Sequence, residues 1–476
     1  MRRRQPPLSL AVTLTTCLTT RTVQFLAICF SVFVALPLAI YTFYYPLFKS
    51  DLCNWPSASY KNPRDLRLLL FGDPQIRGAS SSASLRTQLD IFGNDHYLGH
   101  IYSTLVARLD PTHVIVAGDL FSSQWISDEE FDVRVRRYKN RIFRHRGTKV
   151  TPAPLLLNLP GNHDIGYAHD VIDTRVRRFE NNFGQLNFVV KDGDFRIVVF
   201  NSMSLDGSLD DNEHGQASFT RDVRTFLEEQ MKVNFDGTTI LATHVPLYKP
   251  AGVCIDKPYF SYYRDKSARL IREQNMLSEE TSQWLLDGFF GVGRAGRGVI
   301  INGHDHDGCL VRHTKVQGEQ RWGLVPIASG DSKYKYYYNE DSSDSNGVLE
   351  VTLRSMQGQY GGNAGLLKGA WDSTTQGYEF SFSICRFGVQ HIWWATYVMA
   401  IIAACANVIA FIGLPFLNEK ARRAFIAGTM TPPVSSSRAF NYKSTRKSAM
   451  PISPPISGRQ SPVNFLLAGA KPEKVD

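Results

Sequence analysis

Residues 66–75 read LRLLLFGDPQ: an apolar run of strand length that ends in a glycine, an aspartate and a turn. The same pattern returns four times. HVIVA at 113–117 runs into Gly118 and Asp119, and LLLNL at 155–159 runs into PGNHD. TILA at 239–242 runs into Thr243 and His244, and GVIIN at 298–302 runs into GHDH. Runs this rich in Val, Ile and Leu suit strands covered on both faces. Helical stretches lie between them, among them EEFDVRVRRYKNRIF at 129–143 and SFTRDVRTFLEEQMKVN at 218–234. Strands alternating with helices predict a layered α/β fold, and such sheets gather their sites in loops at the carboxyl ends of strands. The pattern fades after Gly361, so residues 66–355 read as the folded domain and 356–388 as a Gly/Ser/Thr-rich stem.

The strand-end loops carry a consistent chemistry. Asp73 and Gln75 follow the first run, Asp119 the second, and Asn162, His163 and Asp164 the third; His244 follows the fourth, and His304 and His306 the fifth. A single Gly-Asp after a strand is ordinary turn chemistry, and a single His is commonly structural. Five such loops in succession bring imidazole, carboxylate and amide oxygen to one sheet edge, which argues for bound metal. That donor set, without thiolate, suits Mn, Fe, Zn or Mg. A carboxylate such as Asp119 can bridge two ions about 3.5–4 Å apart, an arrangement suited to in-line phosphoryl displacement.

The chain has 476 residues, 43 % hydrophobic and 20 % charged, with a net charge of +9. The excess positive charge lies at the ends. Arg2, Arg3, Arg4 and Arg21 precede residue 22 without an acid, and the segment 418–476 carries about +7, leaving about −2 for the rest. A nearly neutral central region argues against nucleic acid as a partner. Uncharged runs at 22–48 and 389–417 are long enough to cross a bilayer, although a signal peptide and a buried core helix are the alternative readings. Lys and Arg flank the outer ends of both runs, which predicts cytosolic termini and a lumenal region between. The domain plan is then a cytosolic tail at 1–21, a span at 22–48, a stem at 49–65, the domain, a stem, a second span, and a Ser/Pro-rich basic tail at 418–476. Cys53, Cys254, Cys309 and Cys385 fall on the oxidising side and allow three pairings. Cys254–Cys309 is expected first and Cys53–Cys385 second, with buried free thiols as the alternative.

The ordered series GDPQ, GD, GNHD, TH and GHDH resembles the calcineurin-like metallophosphoesterase superfamily over residues 66–355. GDPQI, GNDHYLGHIY, GDLFSSQWI and the two-span frame are similar to the fungal lumenal phosphodiesterases that remove ethanolamine phosphate from GPI-anchor glycans. The resemblance implies an α/β sandwich of two mixed β-sheets flanked by helices and held between two transmembrane helices. It also implies two divalent metal ions, manganese favoured. Asp73, Asp119 and His306 would hold one, and Asp119, Asn162, His244 and His304 the other. His163 would face the phosphate, steered by Asp164. Gln75 stands where the superfamily usually has His, so it is either a weak ligand or a neighbour of the ligands.

Substrate contacts are expected from the aromatic segment at 248–270, with Tyr248, Tyr263 and Arg264 as candidates, since aromatic rings stack on sugars and Arg pairs with phosphate. A surface loop packed on its own aromatics is the other reading. The resemblance implies GPI-anchored proteins or the GPI glycolipid as substrate, residence in the endoplasmic reticulum or early Golgi membrane, and contact with cargo-sorting machinery. A phosphomonoester phosphatase and a non-catalytic cargo-exit receptor on the same fold are the rival functions.

Overall fold

Leu68 and Leu70 of the first run are buried in one apolar cluster, while Leu69 and Phe71 are buried in another. This period-two division is the reason the run is apolar throughout: side chains alternate across a strand, and both faces are covered. The computed structural model describes residues 8–48, 53–56, 62–78, 83–144, 154–209, 216–254, 259–263, 270–291, 298–315, 321–329, 337–339, 347–374, 376–388 and 390–429.

In chain order the strands are Leu66–Phe71 (β1), His113–Val116 (β2), Leu155–Asn158 (β3), Phe188–Asp192 (β4), Phe195–Val199 (β5) and Thr238–Ala242 (β6). Phe260–Tyr262 (β7), Ile271–Gln274 (β8), Gly298–Asn302 (β9), Cys309–Thr314 (β10) and Gly323–Ser329 (β11) follow. The last are Tyr337–Asn339 (β12), Gly347–Thr352 (β13), Asn363–Asp372 (β14) and Gly377–Arg386 (β15). One sheet has the order β12-β15-β14-β1-β2-β3 and the other β11-β10-β13-β9-β6-β5-β4, with β7 and β8 as a separate hairpin. Strands β1 to β3 run parallel, as do β5, β6, β9 and β13, and antiparallel strands complete both sheets.

Leu68, Leu70, Ile115, Ile240, Ala242, Val299 and Ile301 share the apolar layer between the sheets. Helices cover the outer faces. The Phe71 ring of β1 packs on Tyr102 of the helix Leu85–Leu109. On the other sheet Arg196 of β5 donates to the Gln230 carbonyl of the helix Gln216–Lys232 and lies over Phe289 of the helix Glu279–Phe290. Ser84, Ser127 and Ser278 start three of the helices, each hydroxyl accepting from a backbone N–H in the first turn. The chain thus has two mixed sheets face to face between helices, as the residues and the resemblance imply.

One expectation needs correction. The segment 356–388 is not a stem: it contains β14 and β15, the two longest strands described, paired over ten residues, and β14 pairs with β1. Gly365 lets the neighbouring side chains close in, because a Cβ there would lie 2.8 Å from Leu353. The small residues that read as a flexible stem are therefore close-packed. The segment 49–65 is tied to the same sheet: Cys53 forms a disulfide with Cys385 of β15, with Cα atoms 4.6 Å apart, and Trp55 donates to the Leu109 carbonyl. The second disulfide joins Cys254 to Cys309.

Two helices, Thr19–Tyr44 and Gln390–Ala421, are long and apolar enough to cross a membrane. The first is helical from Leu8, so it begins inside the expected tail at 1–21. The unit Leu417–Asp476 is helical from its start to Thr429, the last residue described. The two apolar helices meet through polar contacts. Thr42 Oγ1 lies 2.6 Å from Thr396 Oγ1, Asn407 donates to Ser31 Oγ at 2.7 Å, and Gln24 donates to the Ala410 carbonyl. Hydrogen bonds of this type join helices where lipid leaves no hydrophobic drive between them.

The segment GNDHYLGHIY lies on the helix Leu85–Leu109 and is where the apolar helices dock on the domain. Gly93 lies against Trp394, and a Cβ there would fall 1.6 Å from the ring. Asn94 accepts from Gln390, Tyr97 donates to the Gly388 carbonyl at 2.7 Å, and the His100 ring packs between Phe43 and Phe387. Gly93→Val should therefore lower stability by about 1–3 kcal/mol through overpacking. Scanning fluorimetry of the detergent-solubilised chain checks this, and an unchanged Tm would contradict the docking.

Candidate metal centre

Strand ends bring the motif residues together. Asp73 follows β1, Asp119 follows β2, Asn162 and His163 follow β3, His244 follows β6, and His304 and His306 follow β9. The backbone is bent sharply here. Among the described residues seven non-glycines have positive φ, and Asp73, Gln75, Asp119 and His304 are four of them. Such conformations are disfavoured for side-chain-bearing residues, and they cluster where surrounding structure holds them for function. Gly118 has φ +92, and a Cβ there would strike the His244 ring at 2.4 Å, so only glycine lets β2 end under that imidazole.

Two donor groups form, and they share one carboxylate. Asp119, His244 and His304 present ligand atoms all within 4.8 Å of one another, as do Asp73, Asp119 and His306. Asn162 joins the first group, its Oδ1 lying 3.0 Å from His244 Nε2. Hydrogen bonds behind the ligands set which ring nitrogen faces inward. His244 Nδ1 donates to the Ala117 carbonyl at 2.7 Å and leaves Nε2 for the centre, 3.3 Å from Asp119. His304 Nε2 donates to the Gln274 carbonyl at 2.9 Å and leaves Nδ1. His306 Nδ1 lies 2.9 Å from the Tyr360 hydroxyl, so Nε2 faces Asp73 and Gln75. Fixing the tautomer through the far nitrogen is the usual support of an imidazole ligand.

Electrostatics point the same way. Burial pushes His244 and His306 below the ordinary imidazole value, and burial with the neighbouring His244 takes His304 down to about 3. All three rings are thus held neutral, the form that ligates. Burial raises Asp73 well above the usual carboxylate range, and Asp119 beside it adds to this. Burial also acts on Asp119, but His244, His163 and His304 outweigh it and hold that carboxyl low. Neutral imidazoles, two crowded carboxylates and an amide oxygen in one buried site fit divalent cations of the borderline-to-hard type.

One expectation changes, and an open one takes a definite form. Asp164 does not steer the His163 ring. Its carboxylate accepts from the backbone N–H groups of Leu120, Phe121 and Gly161 at 2.9–3.1 Å, so it clamps the loop after β2 to the loop after β3. Burial pushes this carboxyl up to about 8, with Asp119 adding to the effect. The His163 Nδ1 is buried without a hydrogen-bond partner among the described residues, and its Nε2 lies 3.8 Å from Asp119 with the side chain 38 % exposed. The ring therefore stands at the mouth of the centre. Gln75 presents its amide nitrogen to Asp119 at 3.0 Å and to His306 at 3.2 Å, while its oxygen accepts from Gln357. In this arrangement Gln75 takes the second of its two expected places, as a neighbour that braces the donor groups.

Of the substrate candidates, the Tyr263 hydroxyl donates to Asp170 at 3.4 Å and its ring lies against His169, near the loop that bears His163. Tyr248 packs on Tyr259, and Arg264 lies outside the described residues. Sequence reading missed Tyr360, Gln357, Tyr167 and Glu350. Tyr167 lies 3.4 Å from His304, three residues after Asp164, a spacing that carries no signal of its own.

Glu350 on β13 is fully buried and holds two ligand loops from behind. It accepts from Lys249 at 2.8 Å, His313 at 2.6 Å, Asn302 at 2.7 Å and the Leu247 N–H at 3.0 Å. Leu247 follows His244 and Asn302 precedes His304, so both loops converge on this carboxylate.

A sequence model described as calcineurin-like phosphoesterase matches residues 66–308. The chain is 30 % identical to "Protein TED1" of Saccharomyces cerevisiae over 465 residues, covering 77 % of this chain and 94 % of that protein. It is 27 % identical to "Metallophosphoesterase 1" of Danio rerio over 287 residues, 56 % of this chain and 70 % of that protein. It is also 25 % identical to "Cell division control protein 1" of Saccharomyces cerevisiae over 265 residues, 55 % of this chain and 50 % of that protein.

Lys249 and His313 outweigh the burial of Glu350 and hold its carboxyl at about 2, below the ordinary 4.5. A carboxyl depressed in the fold stabilises it above the unfolded value, and that contribution is lost as pH falls from about 4.5 towards 2. Glu350→Gln should cost about 3–5 kcal/mol at pH 7 by leaving Lys249 unpaired. Its deficit against the unsubstituted chain should shrink across that window. Denaturant melts at pH 7 and pH 3.5 measure both, and a deficit independent of pH would contradict the buried ion pair.

Proposed function

The chain belongs to the calcineurin-like phosphoesterase family and is a metal-dependent phosphoester hydrolase, and from that premise we propose that it is a membrane-anchored phosphodiesterase of the secretory pathway. Its substrate is the ethanolamine phosphate on the glycan of GPI-anchored proteins or of the GPI glycolipid. Removal of that group remodels the anchor and supports exit of cargo from the endoplasmic reticulum, where contact with cargo-sorting machinery would follow. The single observation that carries the reading is the pair of donor groups meeting at Asp119 in a domain docked on two apolar helices.

Asp73, Asp119, Asn162, His244, His304 and His306 would hold the two ions, manganese first among the candidates. When bound, they supply Lewis-acid charge for the phosphoryl oxygens and water of lowered pKa. The residues of the chain do the rest. Gln75 and the His163 N–H, which donates to Asp119 at 2.9 Å, fix the shared carboxylate. His163, partly exposed at the mouth, is placed to contact a phosphoryl oxygen and to hand a proton to the departing alkoxide.

The GDPQI, GNDHYLGHIY and GDLFSSQWI segments support the choice of a glycan phosphodiester. Lys and Arg outside both apolar runs support cytosolic termini and a lumenal domain. The two disulfides, Cys53–Cys385 and Cys254–Cys309, support an oxidising compartment.

Purified full-length chain with Mn²⁺ should hydrolyse a small phosphodiester at least about tenfold faster than the matching monoester. Preference for the monoester would favour a phosphatase, and inactivity with metal bound would favour a receptor. His163→Asn should lower kcat by about 10²–10⁴ while leaving metal content intact. Loss of metal from that variant, measured by elemental mass spectrometry, would make His163 a ligand instead.

A further inference from the structure

A cavity of about 690 Å³ runs between the metal centre and the start of the second apolar helix. At one end are Gln75 and Gln357, which touch Asp119, His306 and the Asp73 carbonyl. At the other are Gln390 and Trp394, in the first turns of the helix Gln390–Val408. Arg77 and Arg137 line the wall between them. Arg137 is committed to Asp95 through two hydrogen bonds of 2.7 Å, whereas Arg77 is exposed and makes no ion pair among the described residues. Asp90 is the carboxylate on this lining.

We infer that this cavity receives the phosphoglycan arm of a membrane-anchored substrate, so that the enzyme acts on molecules in its own bilayer. The inference deepens the proposed function and rests on it. Three observations converge. The volume lies in the range of small-ligand sites, about 300–1,000 Å³. The lining is built from amides, a guanidinium and an indole face, groups that bind hydroxyls, phosphates and sugar rings. The two ends join the chemistry to the level where Trp residues favour the headgroup region. An occupant with a polar arm and a lipid tail matches both ends. The docking of Trp394 on Gly93 fixes the distance that arm must span. A glycan detached from its lipid would bind the polar wall alone and lose the bilayer's contribution to its local concentration.

The test uses the full-length chain with Mn²⁺ in phosphatidylcholine nanodiscs. One substrate is a diacylglycerol-anchored mannoside bearing ethanolamine phosphate, and the other is the same mannoside without lipid. The unsubstituted chain should prefer the anchored form by about tenfold in kcat/KM. Arg77→Ala should raise KM about fivefold for both substrates, since both lie along the polar wall, and Trp394→Ala should reduce the preference about fivefold, as expected on losing one charged or stacking contact. Trp394 also docks the helix, so the exposed Arg77 carries the test alone should the tryptophan variant fail to fold. Turnover with an unaltered KM for both substrates in Arg77→Ala overturns this inference and leaves the phosphodiesterase reading standing. Inactivity of the unsubstituted chain on both substrates, with metal bound, overturns both.

Discussion

Asp119 is the residue on which the two halves of the fold depend. It stands at the end of β2 in one sheet, and its partners His244 and His304 come from β6 and β9 in the other. Two donor groups can share one carboxylate only if the sheets hold a fixed register across their interface. The apolar layer of Leu68, Ile115, Ile240, Val299 and their neighbours supplies that register, because a packed interior resists displacement by even a methylene group. Asp164 and Glu350 then lock the loops, the first by gathering three backbone N–H groups and the second by binding the loops after β6 and β9 together. Two buried carboxylates outside the centre thus keep the ligand loops in place.

The same reasoning extends from the centre to the two apolar helices. The helix Leu85–Leu109 covers β1 through Tyr102 and meets the apolar helices through Gly93, Asn94, Tyr97 and His100. One element therefore touches both the core beneath the metal centre and the first turns of the second apolar helix. The disulfide Cys53–Cys385 adds a covalent tie, joining the chain after the first apolar helix to the strand that leads into the second. A rigid mount of this type fixes how far the centre stands from the two apolar helices.

Much of this was legible in the sequence, and the legible part has a common cause. Buried parallel strands must be apolar on both faces, and strand-end loops concentrate polar residues, so LRLLLFGDPQ and its four counterparts announced the sheets and the ligand loops together. The illegible parts have causes as well. Strands β14 and β15 contain Gly365, Gly369, Ser381 and Ser383, whose small side chains suit tight packing yet read as a flexible stem. Asp164 sits beside His163 in sequence, but its carboxylate turns towards backbone N–H groups, and adjacency along a chain says nothing of side-chain direction. Tyr360 supports His306 and Glu350 holds the loops from behind, each from a place far away in sequence, and no local pattern marks them.

The most direct measurement of the shared carboxylate is electron paramagnetic resonance of the full-length chain loaded with Mn²⁺. Two ions that shared Asp119 would be close enough for exchange coupling, so the account predicts a metal content of about two per chain and a spectrum broadened by spin interaction. Asp119→Asn should abolish the coupling. Isolated six-line signals from a single ion, or coupling that survives the substitution, would contradict a centre built around Asp119.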